Sequence, residues 1–170
     1  MANESSYAVF HTAAGWVGIL SSGNGLRRVT LPQRSEAGAY RELGNPEQAT
    51  LADNGFSDLK ERLQAYFAGE QIDFPDTLDF SGATPFQRDV WRITRLIPYG
   101  RNRSYRWVAA QTGRPGAARA VGQALGKNPF PIIVPCHRVL AYNGGLGGYS
   151  GGIEMKRRLL KLEADVATHR

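Results

Sequence analysis

Apolar residues in the first part of the chain come in short runs that are separated by turn-forming residues. Strand-like composition covers residues 7–11, 15–20 and 26–31. The segments 13–15 and 21–25 between them contain glycine, and the second also contains serine and asparagine. Short runs bounded by such turns predict an antiparallel meander with a Gly-rich hairpin turn.

The rest of this part is predicted to hold one helix between two irregular segments. Residues 32–54 are polar and irregular, and we predict that they form a loop. Apolar side chains recur at helical spacing over 56–68 and Gly69 follows, so a helix is predicted to end there. Residues 72–81 are acidic and are predicted to be extended.

The second part of the chain is dominated by helical patterns. Thr84, followed by proline, is a typical N-cap for a first helix. Ser104 is predicted to cap a short helix that ends near Gln111, and an alanine-rich helix follows over 116–125 after a tight turn. This is the outline of a helix-turn-helix motif, although an ordinary helical hairpin fits the same pattern. A last, basic helix is predicted over 153–163.

Charge divides the chain near Gly82, where we place a boundary between domains 1–82 and 83–170. Residues 85–170 carry 15 Lys and Arg against 4 Asp and Glu, a net charge of +11, whereas residues 1–84 carry −5. Arginine outnumbers lysine 12 to 3 in the basic part, and arginine suits phosphate and base contacts. The second domain is therefore expected to bind nucleic acid, and a merely solvated basic surface is the alternative.

Cys136 is the only cysteine of the chain and follows an apolar run that ends at Pro135. A buried structural role is common for a thiol in such a run. His137 and Arg138 come directly after it, and basic neighbours favour the thiolate, which is the nucleophilic form. We therefore interpret Cys136 as a nucleophile. Six glycines over residues 143–152 form a loop that can bring backbone amides against a ligand.

Composition excludes several classes of protein. Hydrophobic residues make up 42% and charged residues 21%, which is typical of a soluble globular protein. No apolar run approaches the length of a membrane-spanning helix, and the first residues lack the features of a secretory signal. A lone cysteine indicates a reducing, cytoplasmic setting, and the ligand spacing of a zinc site is absent. No metal or cofactor is expected.

An ordered set of motifs lies between residues 84 and 163. The motifs are Phe86-Gln87, Val90-Trp91, Ile97-Pro98-Tyr99-Gly100, Ser104-Tyr105, Ala117-Ala118-Arg119-Ala120-Val121-Gly122, Asn128-Pro129, Pro135-Cys136-His137-Arg138-Val139 and Tyr149-Ser150-Gly151-Gly152. Together they resemble the O6-alkylguanine-DNA alkyltransferases, also called methylated-DNA–protein-cysteine methyltransferases. The resemblance implies a mixed α/β (α+β) protein, with a small ribonuclease-H-like domain over 1–82 and a winged helix-turn-helix domain over 83–170.

The implied function is DNA repair by direct reversal. The alkyl group, typically methyl, would pass irreversibly from O6 of a flipped guanine to Cys136, in a single turnover; O4 of thymine is a further candidate substrate. The resemblance makes His137 a general base that acts through a water, and makes Glu163 the carboxylate that orients it. Tyr105 would donate a proton to the guanine, and the Asn128 amide would tie the helix-turn-helix to the cysteine segment.

The resemblance also implies how DNA is held. The second helix would lie in the minor groove, and Arg119 would fill the gap that the flipped base leaves, although a phosphate contact is an alternative role. The other implied DNA contacts are Ser104, Tyr105, Ala118, Ala120 and Gly122. The implied base pocket is formed by Pro131, Val139, Tyr149 and Ser150. The partner would be duplex DNA with O6-alkylguanine, bound by a cytoplasmic monomer, with clustering along DNA left open.

Three other functions would make different demands on the sequence. A damage sensor of the alkyltransferase-like type would lack the cysteine, so Cys136 argues against it. A transcription factor would need side chains that read base edges, and the Ala/Gly-rich second helix offers few. A cysteine hydrolase would need an oxyanion hole and repeated turnover.

Overall fold

The structure, a computed structural model, describes residues 4–44, 46–52 and 54–168. The chain divides into two compact units, Met1–Phe80 and Ser81–Arg170. The boundary that the sequence indicates, between residues 82 and 83, lies two residues beyond this division. The outermost residues of the two predicted domains, 1–3 and 169–170, lie outside the described residues. In the described part of the chain, no helix has both the length and the apolar character that crossing a membrane requires.

The first unit is built on a four-stranded sheet. Strands β1 (Ser6–Thr12), β2 (Gly15–Ser22) and β3 (Gly25–Val29) pair antiparallel in chain order, which confirms the predicted meander. A two-residue strand, β4 (Thr50–Leu51), pairs parallel with β1, so the sheet order is β3-β2-β1-β4. Val17 and Ile19, two alternate residues of β2, have fully buried side chains that belong to the core of this unit.

The predicted loop over 32–54 is wrong, because this segment contains β4 and a helix, α1 (Glu36–Glu42). The Ser35 hydroxyl caps α1 by accepting a hydrogen bond from the Gly38 amide at 3.0 Å. Both elements are too short for periodicity to identify them, and Gly38 is a weak helix former. The helix is stabilised instead by packing on β1 and β2, where Ala39 is buried. Sequence pattern alone does not report such tertiary packing.

The second helix of this unit, α2 (Ser57–Phe67), confirms the helix predicted over 56–68 to within one residue at each end. Its buried side chains, among them Leu59 and Leu63, recur on one face. Residues 72–81, which are predicted to be extended, contain no helix, and Leu78 forms an isolated bridge with Leu26.

The second unit contains the four predicted helices. Thr84 and Gln87 form a complete capping box at the start of α3 (Pro85–Arg95), and Ser104 caps α4 (Tyr105–Gln111). The alanine-rich helix, α5 (Ala118–Gly126), begins two residues later than predicted. The last helix, α6 (Ile153–Thr168), continues past its predicted end at residue 163.

Packing in this unit brings the cysteine segment close to α3 and to the start of α4. Helix α5 packs against both α3 and α4, and the Trp91 indole of α3 donates a hydrogen bond to the Ala124 carbonyl at 2.9 Å. Strand β5 (Arg103–Ser104) pairs parallel with β6 (Val139–Leu140). This pairing joins the start of α4 directly to the residues that follow the cysteine.

Gly18 tests the packing of α1 on the sheet. A Cβ atom at Gly18 would lie 2.9 Å from Leu43 Cγ and 3.2 Å from the Ala39 carbonyl oxygen. We expect Gly18→Ala to lower the free energy of unfolding by about 1–3 kcal/mol, because α1 must shift to admit the methyl group. Urea unfolding measures this loss. Gly23→Ala is the control, since a Cβ there meets no atom within 4 Å; equal midpoints for the two variants would contradict the packing described.

Candidate functional site

Cys136 lies at the wall of a cavity of about 660 Å³ in the second unit. It is the first residue of a short 3-10 helix, Cys136–Arg138, and its side chain is buried. The cavity is bordered by residues of α4 and α5 and by the loop that follows β6. A ligand that enters this cavity therefore meets one reactive sulfur, enclosed by apolar and backbone surface.

The turn before the cysteine is strained and is held by one side chain. Ile132 has a φ of 75°, a left-handed conformation that is rare for a β-branched residue. The Asn128 amide spans this turn, because its Nδ2 donates to the Val134 carbonyl and its Oδ1 accepts from the Phe130 amide, both at 2.9 Å. The Val134 amide also donates to the Phe130 carbonyl at 2.8 Å. Asn128 thus fixes the path of the backbone that leads to Cys136.

Glu163 of α6 joins the two residues that follow the cysteine. Its Oε2 lies 2.6 Å from His137 Nε2, and its Oε1 accepts a hydrogen bond from Arg138 Nε at 2.7 Å. Arg138 also donates to the Ile97 carbonyl at 2.7 Å. The Gly100 amide donates to Glu163 Oε1 at 3.3 Å. The carboxylate therefore connects α6, the cysteine segment and the turn after α3.

Protonation in this network follows from burial and charge. Burial alone would raise the pKa of Glu163, but the hydrogen bonds from His137 and Arg138 outweigh it and lower the pKa to about 2. Burial lowers the pKa of His137, and this effect exceeds the opposing effect of Glu163. At neutral pH the carboxylate is ionised and can only accept, so the neutral imidazole carries its hydrogen on Nε2. Nδ1 then holds the lone pair that can accept a proton.

The thiol of Cys136 is subject to opposing influences. Burial raises its pKa, because a thiolate in apolar surroundings loses its hydration. The Asn128 amide, the Tyr149 hydroxyl and the positive charge of Lys156 act in the opposite direction and lower the pKa, because each favours the thiolate. The site therefore disfavours a resting thiolate while supplying groups that stabilise one when it forms.

Lys156 is a component of the site that our sequence analysis did not select. Its side chain is fully buried, and Nζ donates to the Val139 carbonyl at 2.7 Å and to the Gly148 carbonyl at 3.1 Å. Nζ also lies 3.4 Å from the Tyr105 hydroxyl. Burial lowers the pKa of Lys156 to about 8. The sequence pattern could have indicated this burial, because Lys156 lies at helical spacing with Leu159 on the face of α6 that packs inward.

Tyr105 contacts the glycine loop closely. Its hydroxyl donates to the Gly148 carbonyl at 3.3 Å, and burial raises its pKa, so it remains a proton donor at neutral pH. A Cβ atom at Gly147 would lie 2.6 Å from this hydroxyl, and the φ of Gly147 is +68°. Only glycine fits both the space and the conformation at this position. A Cβ atom added at Gly122 of α5 would lie 3.8 Å from the Tyr105 ring, which is an ordinary van der Waals contact.

The structure brings half of the predicted site residues to the cavity surface. Those that line the cavity are Tyr105, Ala118, Arg119, Gly122, Cys136, Tyr149 and Ser150. Those that support the cysteine segment are Asn128, His137 and Glu163. Those outside the lining are Ser104, Ala120, Pro131 and Val139. The Ser104 hydroxyl accepts from the Trp107 amide as a helix cap, and Pro131 is buried beside the strained turn.

The backbone carbonyls of Cys136 and Val139 already have hydrogen-bond partners within the protein. The Cys136 carbonyl accepts from the Val139 amide, and the Val139 carbonyl accepts from Lys156. Each carbonyl oxygen keeps a second lone pair for a ligand. Lining residues that the sequence analysis omitted are Arg106, Gln123, Leu125, Gly126, Ala141, Tyr142 and Gly148. Within the described ranges, no group of three or more His, Cys, Asp and Glu side chains could hold a metal ion.

Comparison with protein families gives a match over residues 85–165 to the family described as 6-O-methylguanine DNA methyltransferase, DNA binding domain. The methylated-DNA–protein-cysteine methyltransferase of Mycobacterium tuberculosis is 56% identical over 108 residues, covering 64% of this chain. The chain spans 65% of the length of that relative. The protein of the same name from Salmonella typhimurium is 50% identical over 125 residues, covering 73% of this chain and 71% of the relative.

Solved structures show the same relationship over nearly the whole chain. A crystal structure of Mycobacterium tuberculosis O6-methylguanine methyltransferase has a TM-score of 0.78 at 42% identity, covering 95% of this chain and 93% of that one. A crystal structure of Mycobacterium tuberculosis OGT in complex with DNA has a TM-score of 0.80 at 42% identity, covering 95% and 94%. This chain is mixed in α and β structure, which confirms the predicted fold class, and it matches both of these structures.

Glu163→Gln tests the buried network. We expect a loss of about 3 kcal/mol in the free energy of unfolding at pH 7, because Arg138 is left buried without its counter-ion. The pKa of Glu163 is lower in the folded protein than in the unfolded one, so the stabilisation is present above about pH 4.3 and is lost as the pH falls toward about 2. The unfolding free energies of wild type and Glu163→Gln should therefore become equal in acid. Denaturant unfolding at a series of pH values measures both.

Glu154→Gln is the matched control, because Glu154 is an exposed carboxylate of α6 that pairs with Arg157 at the surface. Its midpoint should be nearly unchanged at every pH. If the difference in unfolding free energy between wild type and Glu163→Gln stayed constant down to pH 2, the ionised carboxylate of Glu163 would not be the source of the stabilisation.

Proposed function

This chain belongs to the methylated-DNA–protein-cysteine methyltransferase family, and on that basis we propose that it repairs DNA by transferring the alkyl group of O6-alkylguanine to Cys136. The observation that carries the proposal is the position of Cys136: a buried thiol at a cavity wall, followed by the His137–Glu163 pair. In a family defined by a cysteine acceptor, this is the one cysteine of the chain.

The chemistry is a displacement at carbon. The Cys136 sulfur forms a bond to the alkyl carbon while the bond from that carbon to guanine O6 breaks, and guanine leaves with the electron pair. His137 takes the thiol proton through a water at Nδ1, and Glu163 keeps the hydrogen on Nε2. The Tyr105 hydroxyl donates toward the guanine and offsets the negative charge that develops there. Asn128 holds the cysteine segment in place during the step.

The product is a thioether, which leaves Cys136 occupied. S-alkylation lies outside the reversible oxidation chemistry of cysteine, so each molecule acts once. The same chemistry extends to O4 of alkylated thymine where the pocket admits it. It requires no cofactor, since nucleophile, base and proton donor are all side chains of this protein.

Access to the guanine requires that the nucleotide leave the duplex. The small side chains of α5, namely Ala118, Ala120 and Gly122, suit the minor groove, which is about 6 Å wide in B-DNA. Arg119 on the same helix is exposed and borders the cavity, so its side chain fills the gap left by the base. Ser104 and Tyr105, at the start of α4, contact the DNA strand that carries the extruded nucleotide.

The extruded base is held by backbone and aromatic groups. The Cys136 and Val139 carbonyls accept from the exocyclic amine, and the Ser150 amide donates to O6. Tyr149 lines the cavity beside the sulfur, and Pro131 stiffens the turn that supports it. We further propose that the two units correspond to a ribonuclease-H-like domain and a winged helix-turn-helix domain, and that the protein works as a cytoplasmic monomer.

The alkyl transfer can be followed by mass. Incubation with duplex DNA that contains O6-methylguanine should add one methyl group per protein molecule, and peptide mapping should place it on Cys136. Cys136→Ser should gain no mass, since a serine hydroxyl is a far weaker nucleophile than a thiol. An unchanged wild-type mass with tight binding to the lesion would mean that the protein is a damage sensor instead.

Arg119→Ala separates base extrusion from chemistry. We expect repair of methylated duplex to slow by roughly tenfold or more, because unstacking a base costs a few kcal/mol that Arg119 no longer offsets. Reaction with free O6-benzylguanine needs no extrusion and should keep its rate. Arg158→Ala removes an exposed arginine of α6 that does not border the cavity and serves as the charge control. Equal losses on both substrates would refute the gap-filling role.

A further inference from the structure

Tyr142 and Arg106 form a stacked pair at the edge of the cavity. The guanidinium carbon of Arg106 lies 4.1 Å from the centre of the Tyr142 ring, and both residues line the cavity. Arg106 belongs to α4, whereas Tyr142 belongs to the loop that follows β6. The pair therefore connects the helix-turn-helix to the glycine loop at the entrance to the site.

Tyr142 is unusual in its exposure. Its side chain is 71% exposed, and among the described residues it is the one Phe, Trp or Tyr side chain that is largely exposed. The guanidinium covers one face of the ring, so the exposed fraction belongs to the other face and the edges. An exposed cation–π pair contributes only about 0.5–1 kcal/mol, which gives little reason to hold an aromatic ring in water.

The charged groups around Tyr142 indicate that its partner is anionic and carries aromatic rings, as a nucleotide does. Arg119 borders the same cavity as Arg106, and residues 85–170 carry a net charge of +11. Proteins that hold unstacked nucleotides combine cationic side chains for the backbone with exposed aromatic rings for the bases. Extrusion of one nucleotide exposes the base beside it, because that base loses a stacking neighbour.

We propose that Arg106 and Tyr142 form a stacking platform for the base next to the extruded guanine on the same strand. The open face of Tyr142 stacks on this base, and Arg106 both backs the ring and pairs with the adjoining phosphate. The platform rests on the proposed function, because only base extrusion leaves a neighbouring base unstacked. It differs from the role of Arg119, which lies on α5 and fills the gap inside the duplex.

Two rate measurements test the platform. Tyr142→Ala should slow repair of methylated duplex at limiting protein by about tenfold, the cost of one lost base–aromatic stack. Tyr142→Phe keeps the ring and should retain the wild-type rate. Reaction with free O6-benzylguanine should be unchanged in both variants. A loss on the free base that equals the loss on duplex would overturn the proposal, since Tyr142 would then contact the flipped guanine itself.

A modified duplex identifies the base that is contacted. Two duplexes are made in which the nucleotide 5′ or 3′ to O6-methylguanine is an abasic analogue, and wild type is compared with Tyr142→Ala on each. The difference between the two proteins should disappear on one of these duplexes, because the stacked base is then missing. A difference that persists on both duplexes would overturn the platform.

Arg106 is tested by the salt dependence of binding. For Arg106→Ala, the slope of log affinity against log salt should fall by about one, as for the loss of one phosphate contact. Tyr142→Ala should keep the wild-type slope. An unchanged slope for Arg106→Ala would refute the phosphate contact. Arg158→Ala controls for the loss of an exposed charge, and Leu96→Ala controls for the loss of an exposed apolar side chain, since Leu96 is 73% exposed and lies outside the cavity.

The outcomes distinguish this proposal from the function on which it rests. If wild-type Cys136 gains no alkyl group from methylated duplex, the proposed function fails. If Cys136 is alkylated but Tyr142→Ala repairs duplex as fast as wild type, the platform alone fails. A Tyr142-dependent dimer in sedimentation without DNA would also overturn it, because a second copy of the chain would then cover the ring.

Discussion

The second unit depends on one buried carboxylate. Glu163 is nearly inaccessible to solvent, and an ion in that position would be costly without partners. Arg138 supplies the opposite charge, while His137 and the Gly100 amide occupy the remaining acceptor positions. These partners come from segments far apart in the chain. Because all of them bond to Glu163, α6 is held against the cysteine segment. The bond between Glu163 and His137 also sets the orientation of the imidazole.

The reactive sulfur sits in surroundings that oppose its ionisation. Burial favours the neutral thiol, and the groups that favour the thiolate are the Asn128 amide, the Tyr149 hydroxyl and the Lys156 ammonium. The Asn128 amide and the Lys156 ammonium are fixed by hydrogen bonds within the fold, so these two need no rearrangement when negative charge appears on sulfur. Lys156 has a further effect, because its hydrogen bonds to the Val139 and Gly148 carbonyls join β6 to the glycine loop.

Local signals in the sequence predicted most elements of the fold. The Thr84 cap and the Ser104 cap are made by neighbours in the chain, so spacing reveals them. Helix α1 was missed because its stability comes from packing on the sheet, which leaves no periodic pattern. The proximity of Glu163 to His137 spans 26 residues and was reached only through the family resemblance. Lys156 was missed because a lysine is expected on the solvated face of a helix.

Ile132 shows that the reactive segment cannot be separated from its fold. A β-branched residue at φ 75° is disfavoured by about 1–2 kcal/mol, so a free peptide of this sequence would relax to another backbone shape. The turn persists because buried neighbours and the Asn128 amide over-determine it. The reactivity of Cys136 is thus a property of the whole folded unit, and a peptide excised around it, or a loop grafted onto another scaffold, would carry an ordinary thiol.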